Sequence, residues 1–524
     1  MKFKYSLLLL SQLLAGAAMA QQLNVQTANG ALQGVAMPSG ITSFKGISFA
    51  APPVGDLRWR EPQPPKDWQG VKMADHFGPQ AMQKHVFSDM VFRSAGTSED
   101  CLYLNVWTPA KNGGAKLPVL VYFYGGGLVA GDGSELRYDG ESLATKGIVT
   151  VTVNYRLGVF GFFSHPDLTK ESSHHSSGNY GYLDQNAALV WVKRNIAAFG
   201  GDADKITIAG ESAGSISVAA QMASPLSKGL IAGAIGESGA PFFPTLSPIP
   251  LNDGEKNGLA FAAKEGVTTI AELRAIPADK LLDDAGKPGM PPNATTIDGY
   301  FMPKLPVQIF AAGEQAHVPL LVGWNSAEVP YQAFTRADAP TPENYEKLVR
   351  QTYATYADTV LKLYPGKDQT QVIESATALA SDRFIAYSTW KWADLQSKTS
   401  GQPVYRYLFS KSRPAMANAP APAAGQPLPF AGASHASEIE YALGNLPTNT
   451  TYSWTPDDYK ASKTMEEYFA NFIKTGNPNA KDLPKWTPNK ATGKVMFMNI
   501  KADSKQETEN SNARYLFLDK QYVK

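Results

Sequence analysis

Residues 206–220 read ITIAGESAGSISVAA and join a strand pattern to a helix pattern. A β-branched run stops at Gly210, and a helical alternation of apolar and polar residues follows Ser212. Gly210 to Gly214 fits G-x-S-x-G, in which a tight strand-to-helix turn strains the central serine and exposes its hydroxyl above the carboxyl end of a sheet. Side chains two positions either side of the serine would collide, which explains the glycines. We interpret Ser212 as a nucleophile; the alternative is a purely structural turn.

Apolar, β-branched runs elsewhere predict further buried strands, because continuous runs are typical of parallel strands covered on both faces. The clearest runs are residues 117–124, 148–155, 205–209, 318–323 and 403–409. Residues 184–201 predict a helix that ends at glycines. Alternating strands and helices predict an α/β fold, with a mostly parallel central sheet flanked by helices on both faces.

The composition is that of an ordinary globular protein, with 43% hydrophobic and 18% charged residues. A net charge of +1 and the absence of basic blocks give no reason to expect nucleic acid as a partner. Although 524 residues could hold about three domains, no stretch is typical of an interdomain linker, so we predict a single catalytic domain over residues 21–524. Residues 251–306 are candidates for a cap, and the Ala/Pro-rich residues 412–434 for a surface loop. Whether they gate a pocket stays open, as does the oligomeric state.

The first 20 residues predict a cleaved secretory signal peptide. Lys2 and Lys4 precede a short apolar run, and Ala18-Met-Ala20 forms an A-x-A cleavage site. An N-terminal membrane anchor is the alternative, but the apolar run is too short to span comfortably, so no stable membrane insertion is expected after cleavage. The single cysteine, Cys101, excludes an intramolecular disulfide. We therefore expect an exported bacterial protein, either periplasmic or secreted.

A nucleophilic serine needs donors that hold an oxyanion. Residues 124–131 read YGGGLVAG after a predicted strand, where bare backbone allows N–H groups to approach a developing negative charge. We assign the oxyanion hole to Gly126, Gly127 and Ala213. A phosphate-binding loop is a weaker interpretation, because no Gly-Lys-Ser/Thr follows the glycines.

The serine also needs a base and an acid. In α/β-hydrolases the chain order is serine, acid, histidine. Among seven histidines, His435 follows the last predicted strand and fits the base, and Glu328 follows the strand at residues 318–323 and fits the acid. His174 and His175 could bind a metal, but no spaced set of ligands supports one. We expect neither a metal nor an organic cofactor.

Several motifs together resemble the type B carboxylesterase family, which includes the cholinesterases. They read SEDCLYLNVWTP, VYFYGGG, NYRLGVFGFF, GNYGYLDQNAALVWVKRNIAAFGGDADKITIAGESAG, VGWNSAE and ASHASEIEYALGN, and the resemblance runs from about Gln26 to the C-terminal KTGNPN region. It implies an α/β-hydrolase fold with cap and loop insertions over the active site. It also implies a Ser212–Glu328–His435 triad that hydrolyses small-molecule carboxylic esters through an acyl-enzyme.

The resemblance implies supporting residues as well. Arg58 would pair with Glu99, and Arg156 with Asp184, as structural ion pairs. Glu211 and Ser238 would lie behind the triad and help to orient the histidine.

This chain also departs from its eukaryotic relatives. Cys101 lacks the upstream cysteine that closes a disulfide there, so residues 75–97 are expected to be held by packing or to be mobile. Leu128, Ala436 and Ser437 replace residues frequent in the family, so choline-ester specificity is not inherited.

The substrate is left open among several classes. A specialised esterase for a bulky ester, such as a polyester fragment, a phthalate-type ester or a toxin ester, is one alternative. An amidase and a non-catalytic binding protein on the same fold are others. Aromatic residues near the motifs are candidates to line an apolar gorge: Trp324, Phe242, Phe243, Tyr331 and Phe430.

Overall fold

The computed structural model describes residues 23–417, 432–490 and 492–522. The predicted signal peptide lies outside the described residues. So do Phe430 and most of the Ala/Pro-rich stretch, from residue 418 to residue 431.

Sixteen strands occur in the described residues, and eleven of them form one sheet. They are β1 Asn24–Gln26, β2 Ala31–Gln33, β3 Val35–Ala36, β4 Thr42–Ser48, β5 Val71–Met73, β6 Tyr103–Thr108, β7 Leu117–Phe123, β8 Val149–Val153, β9 Gly201–Glu211, β10 Gly233–Glu237, β11 Ile249–Pro250, β12 Thr296–Ile297, β13 Leu320–Asn325, β14 Val404–Phe409, β15 Met496–Ile500 and β16 Lys505–Thr508.

The central sheet has the order β16-β15-β14-β13-β10-β9-β7-β8-β6-β4-β3. The seven strands from β15 to β8 run parallel, and antiparallel strands close both edges. Strands β8 and β10 are buried at every residue, as expected when helices cover both faces. The predicted mostly parallel sheet is thus confirmed. Its parallel strands all end at one edge, where βα loops bring distant residues together.

Helices connect these strands. They are α1 Glu141–Thr145, α2 Gly158–Gly161, α3 Pro166–Glu171, α4 Tyr180–Asn195, α5 Ala213–Ala223, α6 Leu251–Lys264, α7 Ile270–Ala275, α8 Ala278–Ala285, α9 Pro306–Ala311, α10 Gln332–Thr335, α11 Pro342–Tyr353, α12 Ala357–Leu363, α13 Gln369–Ser381, α14 Tyr387–Thr399, α15 Ile439–Ala442, α16 Pro456–Thr475 and α17 Asn512–Tyr522. A π-helical turn, Asp382–Ala386, joins α13 to α14. In the described part of the chain, no helix combines the length and apolar character needed to cross a bilayer.

The observed elements differ from the predicted ones mainly at their ends. Helix α4 begins at Tyr180 rather than residue 184, and a 3-10 turn, Ile196–Phe199, completes it. Gly200 then adopts a left-handed conformation (φ 78°), which ends the helix and turns the chain into β9. The predicted strand at residues 205–209 is the middle of this longer strand, which reaches Glu211.

The two predicted ion pairs are present; the Arg156–Asp184 pair is buried and the Arg58–Glu99 pair is partly buried. Arg58 Nε lies 2.6 Å from Glu99 Oε1, and the same guanidinium donates to the carbonyl of Ile276 at 2.7 Å. Arg156 Nη2 lies 2.7 Å from Asp184 Oδ1, at the start of α4. Both arginines join a loop to a helical segment, so these pairs support the fold.

Polar contacts hold the loop at residues 75–97 in place of the missing disulfide. Its ends meet where Gln80 N–H donates to the Gly96 carbonyl at 2.8 Å. Arg93 Nη1 lies 2.6 Å from Asp139 Oδ2, and Asp89 Oδ2 lies 3.1 Å from the buried Arg137. Of the two states expected for this loop, the structure therefore shows the packed one.

Candidate active site

Ser212 occupies the corner between β9 and α5 with φ 56° and ψ −120°, a conformation that non-glycine residues rarely adopt. A Cβ on Gly214 would collide with the carbonyl oxygen of Phe123, and a Cβ on Gly210 with Gly214 itself. The Ser212 N–H donates to the carbonyl of Glu237 on the neighbouring strand at 2.8 Å. The strained turn predicted from the sequence is therefore present. Both glycines are needed because a side chain at either position would collide with neighbouring backbone.

A hydrogen-bonded chain links the serine to the predicted base and acid. His435 Nε2 lies 2.8 Å from Ser212 Oγ, and His435 Nδ1 lies 2.6 Å from Glu328 Oε2. The residues come from the ends of β9, β13 and the loop after β14, and they meet at the carboxyl edge of the sheet. This is the nucleophile, base and orienting acid arrangement used for acyl transfer.

The Glu328 carboxylate accepts two more hydrogen bonds on its other oxygen. Ser238 Oγ donates to Oε1 at 2.6 Å, and the Asn325 N–H donates to the same atom at 2.7 Å. Ser238 therefore contacts the acid that in turn holds the histidine. Three donors, including His435 Nδ1, thus converge on one buried carboxylate and fix its position.

The loop after β7, residues 125–131, is called the oxyanion loop below. Gly126 and Gly127 have φ values of 111° and 64°, which favour glycine. A Cβ on Gly125 would collide with Glu211 and crowd Ser212, so the loop lies directly against the nucleophile. The N–H of Ala213 begins α5 and needs no partner within the helix. Of the predicted oxyanion donors, Gly126 and Gly127 thus lie on this loop, and Ala213 directly follows the nucleophile.

Three further buried carboxyl groups surround the triad acid. Glu211 and Glu237 are adjacent across β9 and β10, and Glu438 accepts a hydrogen bond from Asn325 Nδ2 at 2.6 Å. Burial raises the pKa of Glu211 to about 8 and that of Glu438 to about 7, and it raises the pKa of Glu237 well above its usual range. Neighbouring carboxylates add to each of these shifts.

Glu237 and Glu438 were not predicted as site residues from the sequence. Glu438 lies three residues after His435, inside the quoted motif ASHASEIEYALGN, whereas Glu237, one residue before Ser238, lies in none of the quoted motifs. The burial that makes both residues part of the site cannot be read from the sequence.

His435 lies among these carboxylates, and its side chain is 24% exposed. Burial alone would lower the pKa of its imidazole, but the carboxylates of Glu211 and then Glu328 outweigh burial and raise the pKa to about 9. Glu211 Oε1 is 3.4 Å from Nε2, and no hydrogen bond satisfies this oxygen among the described residues. Because Glu211 itself holds a proton more tightly than an ordinary carboxyl group, its protonation and that of His435 depend on each other.

An exposed apolar ring borders the histidine, and further exposed apolar side chains lie on the loop bonded to Phe384. The ring of Phe384, on the π-helical turn, meets that of His435 edge to face with 5.1 Å between centroids, yet Phe384 is 41% exposed. Thr245 Oγ1 donates to the Phe384 carbonyl at 2.8 Å, which brings in a loop with Phe243 (59% exposed) and Leu246 (44% exposed). These three side chains form what we call the apolar rim.

The other predicted gorge aromatics lie elsewhere. Trp324 packs on Tyr515, Phe242 packs on Phe310, and Tyr331 belongs to the cluster between α10 and α13; all three are buried in the core. Their prediction as gorge residues was therefore wrong for Trp324, Phe242 and Tyr331. Sequence position near a motif did not distinguish them from Phe384, which the motifs do not include.

No group of three or more His, Cys, Asp or Glu side chains among the described residues is arranged to hold a metal ion. His174 stacks on Tyr300 with 3.7 Å between ring centroids.

The chain is similar to known proteins along nearly its whole length. The model of the Carboxylesterase family matches residues 21–517. The chain is 35% identical over 497 residues to a protein named fumonisin B1 esterase from Sphingopyxis macrogoltabida, covering 90% of this chain and 85% of that protein. It is 32% identical over 504 residues to para-nitrobenzyl esterase of Bacillus subtilis (strain 168), covering 92% and 96% respectively.

Solved structures give the same result. A PNB esterase structure superposes with a TM-score of 0.78 at 30% identity, covering 94% of this chain and 99% of that one. A Geobacillus stearothermophilus carboxylesterase gives a TM-score of 0.77 at 31% identity, with the same coverage. The predicted α/β-hydrolase fold is thereby confirmed.

Proposed function

The chain belongs to the carboxylesterase family and hydrolyses carboxylic esters, and we propose that Ser212, Glu328 and His435 carry out this reaction. The observation that carries the proposal is the unbroken chain of short hydrogen bonds from Ser212 Oγ through His435 to Glu328.

Acylation begins when Ser212 Oγ attacks the ester carbonyl carbon and its proton passes to His435 Nε2. Glu328 stabilises the imidazolium that forms, through the bond to Nδ1. The carbonyl oxygen becomes an oxyanion, held by the N–H groups of Gly126, Gly127 and Ala213. The tetrahedral intermediate then collapses, the bond to the alcohol oxygen breaks, and His435 returns the proton to the leaving alcohol.

Deacylation repeats these steps with water. His435 accepts a proton from water as its oxygen attacks the acyl carbon, and the same three N–H groups hold the second oxyanion. Collapse breaks the bond to Ser212 Oγ, which recovers the proton and releases the acid. Every proton transfer uses His435, so no metal or organic cofactor is required.

Ser212→Ala tests the proposal. We expect p-nitrophenyl ester hydrolysis to fall to background while the melting temperature stays near that of the parent. An organophosphonate should label the parent at Ser212, found by peptide mass, and should leave Ser212→Ala unlabelled. Ser462→Ala, which removes another buried serine hydroxyl on α16, is the control and should keep full activity. Retained turnover by Ser212→Ala would contradict the assignment.

For the substrate, we propose a bulky ester with an apolar group next to the scissile bond. The apolar rim supports this class, because the exposed ring of Phe384 lies against the base that must reach the substrate, and Phe243 and Leu246 are exposed on the loop bonded to Phe384. A toxin ester is a second candidate, since one similar protein is named fumonisin B1 esterase. A panel of p-nitrophenyl acetate, naphthyl and benzyl esters, a phthalate diester, fumonisin B1 and an anilide separates these classes by kcat/KM. A preference for acetate over every bulky ester would overturn the proposal.

We also propose that the protein is exported after cleavage following Ala20. The support is the charged start, short apolar run and A-x-A site of the first 20 residues. Fractionation of cells that express the full chain should place activity in the periplasm or medium, with Gln21 as the N-terminal residue. Full-length protein that stays with the membrane fraction would favour an anchor instead.

A further inference from the structure

We propose that Gln83 is a positioning residue for the oxyanion hole. It comes from the loop at residues 75–97, far in sequence from the triad, and acts on the last residue of the oxyanion loop. The inference rests on the proposed function, because it concerns the same acyl transfer.

The Gln83 side-chain amide binds both backbone groups of Gly131, the N–H and the carbonyl, and we call this pair of bonds the clamp. Gln83 Nε2 donates to the Gly131 carbonyl at 2.8 Å, and the Gly131 N–H donates to Gln83 Oε1 at 2.8 Å. The same Nε2 also donates to the Ala81 carbonyl at 3.1 Å, which fixes the amide in its own loop. Gln83 is buried, so these bonds are shielded from water.

Gly131 lies next to the residues that would hold the oxyanion. The oxyanion loop folds back on itself, since the Ala130 N–H donates to the Gly126 carbonyl at 3.0 Å. A Cβ on Gly131 would collide with the ring of Tyr124 and the carbonyl of Gly125. With backbone packed on backbone at both ends of a seven-residue loop, a shift of Gly131 also shifts Gly126.

Other contacts hold the start and middle of the loop. Tyr155 Oη donates to the Tyr124 carbonyl at 2.7 Å, and the two rings stack with 4.4 Å between centroids. The Gly158 N–H donates to the Leu128 carbonyl at 2.8 Å. The residues that make these contacts, Tyr155 and Gly158, follow β8. Gln83, by contrast, binds the last residue of the oxyanion loop through its side chain.

The chemistry of the clamp requires an amide. A glutamate side chain still accepts from the Gly131 N–H, but when ionised it cannot donate to the carbonyl. A leucine does neither and leaves both backbone groups of Gly131 buried without this partner. The two variants therefore remove one or both halves of the clamp at nearly constant volume.

We would measure steady-state kinetics of Gln83→Glu and Gln83→Leu with p-nitrophenyl butyrate, together with inhibition by an aryl trifluoromethyl ketone. The ketone forms a tetrahedral adduct on the serine, so its Ki reports the oxyanion hole rather than ground-state binding. Loss of a whole oxyanion donor costs about 10²–10³ in rate, so we expect Gln83→Leu to lower kcat by about tenfold or more. KM should change by less than about twofold, Ki should rise in parallel, and Gln83→Glu should be intermediate.

Gln396→Ala is the matched control. Gln396 is also buried and donates to the Ala316 and Val318 carbonyls, before the start of β13 and so at the opposite edge of the sheet. It should lower the melting temperature without changing kcat or Ki. If the Gln83 variants behave like Gln396→Ala, Gln83 is structural and the proposal is overturned. If Gln83→Leu does not fold, Gln83→Glu decides by the same readouts. Activity in Ser212→Ala would overturn the proposed function separately, because that result does not involve Gln83.

Discussion

His435 is bound to Glu328 through both its side chain and its backbone. Nδ1 lies 2.6 Å from Oε2, and the His435 N–H donates to the Glu328 carbonyl at 3.0 Å. The two residues are 107 positions apart in the chain, yet they form one unit at the end of β13. The acid therefore holds the base at two points, its ring and its backbone.

Glu328→Gln should lower kcat by about 10³–10⁴-fold with little change in KM, because a neutral amide no longer stabilises the imidazolium and can favour the wrong tautomer. The backbone bond to His435 is kept, so the melting temperature should stay close to that of the parent. Ser238→Ala is the graded comparison and should cost much less, since the Asn325 N–H still holds the carboxylate. Near-parental turnover by Glu328→Gln would move the acid to another residue.

Glu211→Gln should shift the acid limb of the kcat/KM profile to lower pH by about one unit. Ionised Glu211 stabilises the imidazolium and so raises the pKa of His435; a neutral amide removes this effect, and the active neutral imidazole then persists at lower pH. The profile is measured from pH 5 to 9 beside that of Glu343→Gln, which changes an exposed carboxylate on α11. An unchanged or upward-shifted limb in Glu211→Gln would contradict the electrostatic role.

Gly214→Ala should destabilise the protein by about 1–3 kcal/mol and reduce kcat, because the added Cβ meets the backbone carbonyl of Phe123, which cannot move aside without disturbing β7. Gly229→Ala places its Cβ in open space and should change stability by no more than about 0.5 kcal/mol. Urea unfolding and ester hydrolysis of both variants check this. Equal stability of the two variants would show that the turn at Ser212 has room for a side chain at position 214.

Arg93→Met should make the loop at residues 75–97 open more often. Arg93 bonds Asp139 and, through Nε, the Ser134 carbonyl at 2.7 Å, and losing such charged hydrogen bonds costs about 1–3 kcal/mol. We expect faster nicking within this loop by a limiting amount of protease, read by mass spectrometry. Lys84→Met breaks the exposed pair with Asp283 and should leave the cleavage rate nearly unchanged. Similar cleavage rates for both variants would argue that the hydrogen bonds of Arg93 do not hold the loop closed.

The local sequence predicted the structure correctly where a single short-range requirement, such as a tight turn or a strand buried on both faces, determines it. The glycines flanking Ser212 could be predicted because the G-x-S-x-G pattern is typical of a tight turn, although the nearest obstacle to a side chain at Gly214 is the Phe123 carbonyl on β7. The parallel strands are apolar because both faces are covered. The placement of Glu328 and His435 followed from chain order combined with strand positions. These residues could be predicted because βα loops at one sheet edge must converge.

Features that depend on three-dimensional packing could not be predicted from local sequence or from the order of the strands. Trp324 and Phe384 are both aromatic, but the first is covered by α17 and the second stands beside His435 on a π-helical turn that no periodicity predicts. Likewise, the raised pKa of Glu438 follows from its burial among other carboxylates. Gln83 stands in a loop without a recognisable motif, and only its contact with Gly131 distinguishes it.

The hydrogen bonds and ion pairs that hold the loop at residues 75–97 make the fold indifferent to redox conditions. The loop contains no cysteine, so no disulfide has to form to close it and no thiol reagent can open it. The one cysteine of the chain, Cys101, is buried, and burial raises the pKa of its thiol well above the usual range. The chain is thus suited to mature equally well in a reducing cytoplasm and in an oxidising compartment. Its activity should therefore survive dithiothreitol, because no disulfide is available to reduce.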